Sequence, residues 1–376
     1  MTLAGADPET VRAAIESGDP LPGTAGFAGE LDGRLVRDVL GRYPLFFERK
    51  DPTVWSHDRT SLSDPRRLPA GHVHDGTHDE CIWTLPQCDP VEDDIAVATL
   101  REALDGALAT TEESWTTSDT AKSRTAPDDS ERSRLAVAFS GGVDSGLLAA
   151  RLDVPLYVVG FPDSHDVEAA RSGGAVLGRD VRVVELDHAT LERAIPEVAR
   201  ALGRTNAMDV AIALPLYLVA ERVRADGFDA LALGQGADEL FGGYAKVALA
   251  PDDHRVEADT VRGARREVLE TLPDQLERDV LALRAAGIQP VTPLLDDDVI
   301  RAALALSGDQ LVRGDTRKWA FRQAAREWLP EELAFREKKA LQYGSLVSRE
   351  LDRLARQAGF KRRMDDHVTR YIESLQ

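Results

Sequence analysis

The chain has 376 residues, 43% of them hydrophobic and 30% charged, with a formal net charge of −19 at pH 7. That length supplies core for two domains or one large one. The negative charge, with only seven lysines, opposes attraction to a nucleic-acid backbone. No apolar run reaches the ~18 residues of a membrane-spanning helix, and the amino terminus lacks a basic segment followed by an apolar core. Cys81 and Cys88, the only cysteines, have a spacing that makes neither a disulfide framework nor a zinc site. These features predict a cytoplasmic protein with no nucleic-acid or membrane partner, and the acidic, lysine-poor surface fits adaptation to a salty (halophilic) cytoplasm.

In chain order, Pro8 near the start and Gly18 near the end of residues 1–20 predict a short capped helix. Between Ala25 and Ile82, short apolar runs between turns predict β-structure: Leu35–Leu40, Tyr43–Phe47 and Thr53–Trp55. Apolar residues at helical spacing predict an amphipathic helix over Asp93–Ala109. The polar, turn-rich stretch 110–134 reads as a surface loop or linker.

The apolar run Leu135–Phe139 predicts a buried strand. It feeds directly into SGGVDS at 140–145, and good helix formers follow from Gly146 to Arg151. A strand, a glycine-rich turn and a helix N-terminus together make an anion cradle, because first-turn N–H groups lack intrahelical partners and the helix dipole favours negative charge. Gly141 and Gly142 let backbone approach oxygen closely, Ser140 and Ser145 offer hydroxyls, and Asp144 can hold a magnesium ion that bridges phosphate oxygens. The GK[ST] ending of a P-loop is absent.

Further strands are predicted at Pro155–Gly160, Val181–Asp187 and Asp229–Leu233, alternating with helices at His165–Leu177, Ala189–Leu202 and Ile212–Ala225. The alternation implies an α/β fold: a doubly wound parallel sheet with helices on both faces and ligands beyond the carboxyl ends of the strands. SGGVDS, the Val159–Gly160–Phe161 corner and the loop after Leu233 all fall at that edge.

That last loop reads GQGADELFGGY (234–244). Its glycines and adjacent carboxylates suggest a second anion approach, with Asp238 as a magnesium ligand opposite Asp144. Taken alone, the Asp238–Glu239 pair would usually be a helix N-terminal cap, and its position at the same sheet edge as SGGVDS turns the reading towards a ligand. Beyond Asp253 the pattern is mostly helical, with a helix predicted at Asp315–Leu329 ahead of Pro330 and a charged terminal helix over 345–376.

SGGVDS after a strand resembles the ATP pyrophosphatase (PP-loop) superfamily, whose SGGxDS motif binds the pyrophosphate of ATP during adenylation. Together with VGFPDSHDVEAAR (159–171), LPLYLVAER (214–222) and GQGADELFGGY, it resembles the synthetase domain of asparagine synthetase B and its relatives, the β-lactam synthetases included. Order and spacing agree over about residues 135–345. RDVLGRYPLFFER, TVWSHD and LPAGHVHDG are similar to the later part of the family's glutaminase domain. The resemblance thus divides the chain into a truncated glutaminase-like region (1–90), a helix and polar linker (91–134) and a PP-loop synthetase-like domain with a helical carboxyl part (135–376).

The resemblance also implies site roles. Ser140, Gly141, Gly142, Asp144, Ser145, Val159, Gly160, Gly234 and Gly236 would bind ATP and pyrophosphate, with Asp144 and Asp238 holding magnesium. Lys338, in FREKKALQYG, would reach the substrate acyl group and α-phosphate. Gln235 and Gln289 would line the substrate pocket where asparagine synthetases carry Glu, and Val291 stands where they carry Arg. Gln is isosteric with Glu but cannot take up a proton, so an aspartate pocket is altered here.

That glutaminase relies on an N-terminal cysteine; residue 2 here is Thr, and neither cysteine lies near the start. The expected function is therefore ATP-dependent amide formation. A carboxylate (aspartate or an analogue) is activated as acyl-AMP with release of pyrophosphate, then amidated by ammonia or another amine. A homodimer is compatible with this reading. A nucleotide-binding regulator that keeps the ATP site without turnover is the alternative, and a tRNA-modifying PP-loop enzyme is disfavoured by the missing cysteine pairs and basic face.

Overall fold

The structure, a computed structural model, describes residues 3–116, 134–250, 252–336 and 345–376. The chain forms two compact units, each discontinuous in sequence. The first comprises Met1–Ala107, Gly234–Glu277 and Thr292–Glu327; the second comprises Leu108–Leu233, Arg278–Val291 and Trp328–Gln376.

In the first unit the capped helix is α1, Pro8–Ser17, opened by the Asp7 carboxylate accepting from Glu9 N–H and closed at Gly18. Seven short strands follow: β1 Ala28–Leu31, β2 Arg34–Arg37, β3 Phe46–Glu48, β4 Asp51–Ser56, β5 Pro65–Arg67, β6 His72–His74 and β7 Asp79–Cys81. They make two antiparallel sheets, ordered β1-β2-β6-β7 and β4-β3-β5. Ala28, Leu35, Leu45, Phe47 and Leu68 form a common apolar cluster between them. Only the first part of the Leu35–Leu40 run is strand, because Asp38 turns inward and its carboxylate accepts the Leu40 and Arg42 N–H groups.

Helix α2 spans Asp93–Thr116. It therefore runs seven residues beyond the predicted Ala109 end, into the stretch expected to be loop. Thr111 is buried and Ser114 bonds back to the Thr110 carbonyl, so tertiary packing overrides the polar composition there. The rest of the predicted linker, 117–133, lies outside the described residues.

The second unit is built on a parallel five-stranded sheet. Strands β8 Leu135–Ala138, β9 Leu156–Gly160, β10 Val181–Glu185, β11 Ala230–Ala232 and β12 Gln289–Val291 lie in the order β10-β9-β8-β11-β12. β9 is buried at all five positions, as a strand covered on both faces must be, whereas none of the five positions of the edge strand β10 is fully buried. Crossovers are supplied by α3 Val143–Arg151, α4 His165–Leu177, α5 His188–Leu202 and α6 Ala207–Ala225. The chain builds outward from β8 through β9 to β10, then returns to add β11 on the other side of β8. β8 thus marks the topological switch point, where open α/β sheets place their ligands. The fold is the doubly wound α/β arrangement expected from the alternation of strands and helices.

β12 is a strand that the sequence reading did not separate from its surrounding motif. It is only three residues long and contains Pro290, yet it pairs in parallel with β11. The remaining first-unit elements are α7 Ala237–Phe241, α8 Ala245–Ala248, most of α9 Val261–Ala285, α10 Asp297–Leu304, α11 Gly308–Leu311, the hairpin β13 Val312–Arg313 and β14 Thr316–Arg317, and α12 Trp319–Ala325. The predicted Asp315–Leu329 helix is thereby corrected. Its first residues complete a hairpin, and Lys318 adopts a left-handed φ of 58° that lets the helix start only at Trp319. In the second unit α13 spans Glu331–Ala334, and the single terminal helix expected over 345–376 is two, Val347–Gln357 and His367–Glu373.

Candidate nucleotide site

The SGGVDS turn leaves β8 at its carboxyl end, where Phe139 N–H still donates to Tyr157 O at 2.7 Å. Gly141 has a φ of 75°, and a Cβ there would overlap the Ala169 carbonyl and lie 2.8 Å from Ala170 N. Only glycine permits both the left-handed turn and this approach of the loop to α4. α3 starts at Val143 with Gly142 as its N-cap and no side chain capping it, so the positive end of the helix opens on the glycine turn. Asp144 lies in that first turn. Ser145 is buried, and its Oγ accepts from Ser140 N–H and bonds Ser140 Oγ, both at 3.1 Å. One hydroxyl therefore braces the loop from within.

Val159 and Gly160 end β9, beside β8 in the same sheet. Ser164, fully buried, caps α4. Arg336 donates to Ala169 O at 3.2 Å, the same carbonyl that Gly141 packs upon. It also bonds Ser172 Oγ and Glu332. On the far side of 337–344, the Ser345 carbonyl accepts from Phe161 N–H at 3.4 Å. The chain flanking that segment is thus tied down at both ends to the elements that frame the SGGVDS turn. Lys338 itself lies outside the described residues.

In the first unit, the GQGADELFGGY loop opens α7. Gly236, with a φ of 88°, is the N-cap, so Asp238 and Glu239 occupy the first turn and neither caps the helix. A Cβ on Gly236 would overlap the Leu295 side chain, which covers that face. Lys318 Nζ reaches Asp238 Oδ1 at 2.6 Å, and an added Cβ at Gly243 would collide with both side chains. Arg317 donates to the Gly243 carbonyl at 2.8 Å, and Phe241 stacks on Phe321 of α12 with ring centroids 4.6 Å apart. Glu239 is buried and accepts from Tyr244 Oη at 2.5 Å. Burial, and then the neighbouring Asp238 charge, push its carboxyl up to about 7.

The second unit therefore holds Ser140, Gly141, Gly142, Asp144, Ser145, Val159, Gly160 and Gln289, and the first holds Gly234, Gln235, Gly236 and Asp238. Gln289, expected in the substrate pocket, opens β12 at the amino-terminal end of that strand. It is exposed and level with Ala230, which is itself level with Leu135. The strand pairing of Pro290 and Val291 with β11 fixes it there. Gln235 is half-buried ahead of Gly236. Among the described residues, no group of three or more His, Cys, Asp or Glu side chains is placed to hold a metal ion. No helix among them is long and apolar enough to cross a membrane. Lys318 and Arg336 escaped sequence reading. The only clue to Lys318 was the scarcity of lysine in the chain.

A parallel sheet whose central strand runs through a glycine turn into a helix N-terminus is the α/β arrangement of the PP-loop superfamily. Comparison with known proteins makes this specific. The asparagine synthase family model matches residues 130–262 and 250–372, and the chain belongs to that family. It is 29% identical over 272 residues to the putative glutamine-hydrolyzing asparagine synthetase 1 of Methanocaldococcus jannaschii, covering 62% of this chain and 50% of that protein. Against glutamine-hydrolyzing asparagine synthetase B of Escherichia coli it is 25% identical over 251 residues, covering 59% and 44%. Against the glutamine-hydrolyzing asparagine synthetase 1 of Saccharomyces cerevisiae it is 24% identical over 244 residues, covering 60% and 41%. These alignments span half or less of the curated relatives' length.

Proposed function

We propose that this protein is an ATP-dependent amide-forming ligase. It activates a carboxylate, aspartate or an analogue, as acyl-AMP with release of pyrophosphate, and passes the acyl group to ammonia or another amine. The observation that carries this reading is the Gly141 turn at the switch point of the sheet, packed on Ala169 and leading into an uncapped α3. An uncapped helix start preceded by close-packed glycine is suited to the polyanionic tail of a nucleotide.

Adenylation needs the leaving pyrophosphate neutralised more than it needs covalent catalysis. The α3 amides and the Ser140 hydroxyl bind phosphate oxygens, while Ser145 holds the loop shape. Lys318 adds a buried cation beside Asp238. Lys338 follows Arg336 by two residues, and it contributes the second cation, towards the acyl group and α-phosphate. Asp144, in the first turn of α3, and Asp238, in the first turn of α7, are the carboxylates that would hold magnesium. Bound there, magnesium would spread the charge developing on the departing phosphates.

Gln235 lines the acyl pocket without acting as a base, so the incoming amine must arrive deprotonated. Ammonia or another free amine, in place of glutamine hydrolysed by this chain, is supported by the cysteines: Cys81 ends β7, exposed, and Cys88 follows it. Gln235 also favours the second reading, a nucleotide-binding regulator without turnover. Incubating the protein with labelled ATP, magnesium and candidate carboxylic acids in high salt decides between them. AMP and pyrophosphate appear if the ligase reading holds, and bound but unconverted ATP indicates the regulator.

A further inference from the structure

We propose that Arg42, in the amino-terminal β-region, is a positioning residue for the Gly234–Tyr244 loop, acting through Leu295. The proposal deepens the nucleotide-handling reading of that loop and rests on it for its functional consequence.

The Arg42 side chain is 2% exposed and lies between two fully buried carboxylates, with Nε 2.9 Å from Asp38 Oδ1 and Nη1 2.8 Å from Asp297 Oδ1. Nη1 also donates to the Leu295 carbonyl at 2.7 Å. Neither carboxylate can follow a displaced guanidinium. Asp38 accepts the backbone N–H groups of Leu40 and Arg42 at 3.0 Å and of Phe27 at 3.3 Å. Asp297 accepts the Thr24 N–H at 2.7 Å and the Thr24 hydroxyl at 3.0 Å, and its own N–H returns a bond to Thr24 O at 3.0 Å. Two stretches of chain more than 250 residues apart are locked at one carbonyl.

The fixed carbonyl belongs to the residue whose side chain covers Gly236. A Cβ on Gly236 would lie 2.6 Å from Leu295 Cγ, and Leu295 is fully buried. Gly236 caps α7 two residues before Asp238. A shift of Leu295 therefore opens or closes space directly against the turn that aims Asp238. A buried ion triad is a costly way to hold two segments when apolar packing would serve, but it fixes position far more narrowly than apolar contact does. Arg37 makes the contrast. It is also fully buried and lies 3.6 Å from Glu277 of α9, yet the carbonyls it bonds, those of Leu68 and Gly41, belong to the β-region and not to the stretch that covers Gly236.

The test is hydrogen exchange on the full chain, read for amides Gly236–Gly243 and, as an internal reference, for Val143–Arg151. Arg42→Lys keeps the charge but cannot bridge both carboxylates and the carbonyl, and Leu295→Ala removes the contact while leaving the triad in place. Both are expected to speed exchange at Gly236–Gly243 at least tenfold, leaving Val143–Arg151 unchanged. The KM for magnesium-ATP should rise about tenfold with kcat within threefold. Arg12→Ala, which breaks an exposed pair with Asp32, should alter neither. Unchanged exchange at Gly236–Gly243 in a folded Leu295→Ala protein overturns the proposal, and does so even if Arg42→Lys fails to fold. Faster local exchange in a protein that never turns over ATP supports the positioning and refutes the nucleotide reading instead.

Discussion

Lys318 Nζ lies 2.6 Å from Asp238 Oδ1, and the two side chains differ sharply in exposure, 6% for the lysine and 47% for the aspartate. The cation is buried, and the carboxylate it meets is half in solvent. Lys318→Met keeps the aliphatic stem and removes the charge. Its expected effect is a loss of about 10²–10³ in kcat for AMP formation, as for removal of one preorganised donor. Because Asp238 is half exposed, the melting temperature should move little. Asp238→Asn should raise the magnesium concentration needed for half-maximal rate. Steady-state kinetics over a magnesium series, with thermal melts alongside, checks both.

Gly141→Ala places a methyl group against the Ala169 carbonyl at a φ of 75°. Left-handed strain and overpacking together should cost about 2–4 kcal/mol of folding stability. The loop must move off α4, so ATP binding should weaken at least tenfold in the protein that still folds. Denaturant unfolding and ATP titration measure the two effects separately.

Glu239 gives a pH prediction with a definite sign. Its folded-state pKa of about 7 stands above the ordinary carboxyl value of 4.5. Between those values the native state retains a proton that the unfolded state has lost, so stability falls as pH rises from 4.5 to 7 and levels off above. Glu239→Gln preserves an acceptor for Tyr244 Oη and abolishes this loss. The variant should match the parent near pH 4.5 and exceed it by on the order of 2–3 kcal/mol at pH 8. Urea midpoints across that range show it, and a constant difference between the two proteins would contradict the assignment.

What could be read in the sequence were the features encoded locally. Ser140–Ser145 sit between a short apolar run and a run of helix formers, and the strand–turn–helix follows from neighbours alone. The parallel sheet followed from alternation of the strands with helices. Features set by distant packing were not readable. The left-handed Lys318 sits inside DTRKWAFRQAAREWL, a stretch with good helical composition, and only the hairpin before it and the Asp238 carboxylate it meets explain its conformation. The parallel pairing of Gln289, Pro290 and Val291 with β11 was not readable either, because a three-residue strand containing proline has no local signature. The Asp38–Arg42–Asp297 triad joins segments that no local pattern relates.

The most direct measurement is carboxylate-dependent exchange of labelled pyrophosphate into ATP, with magnesium at high salt. The ligase account predicts exchange that appears only with a carboxylic acid substrate and vanishes in Gly141→Ala. It also predicts AMP as the nucleotide product once an amine is added. Release of ADP and phosphate, or pyrophosphate exchange that ignores Gly141, would contradict it.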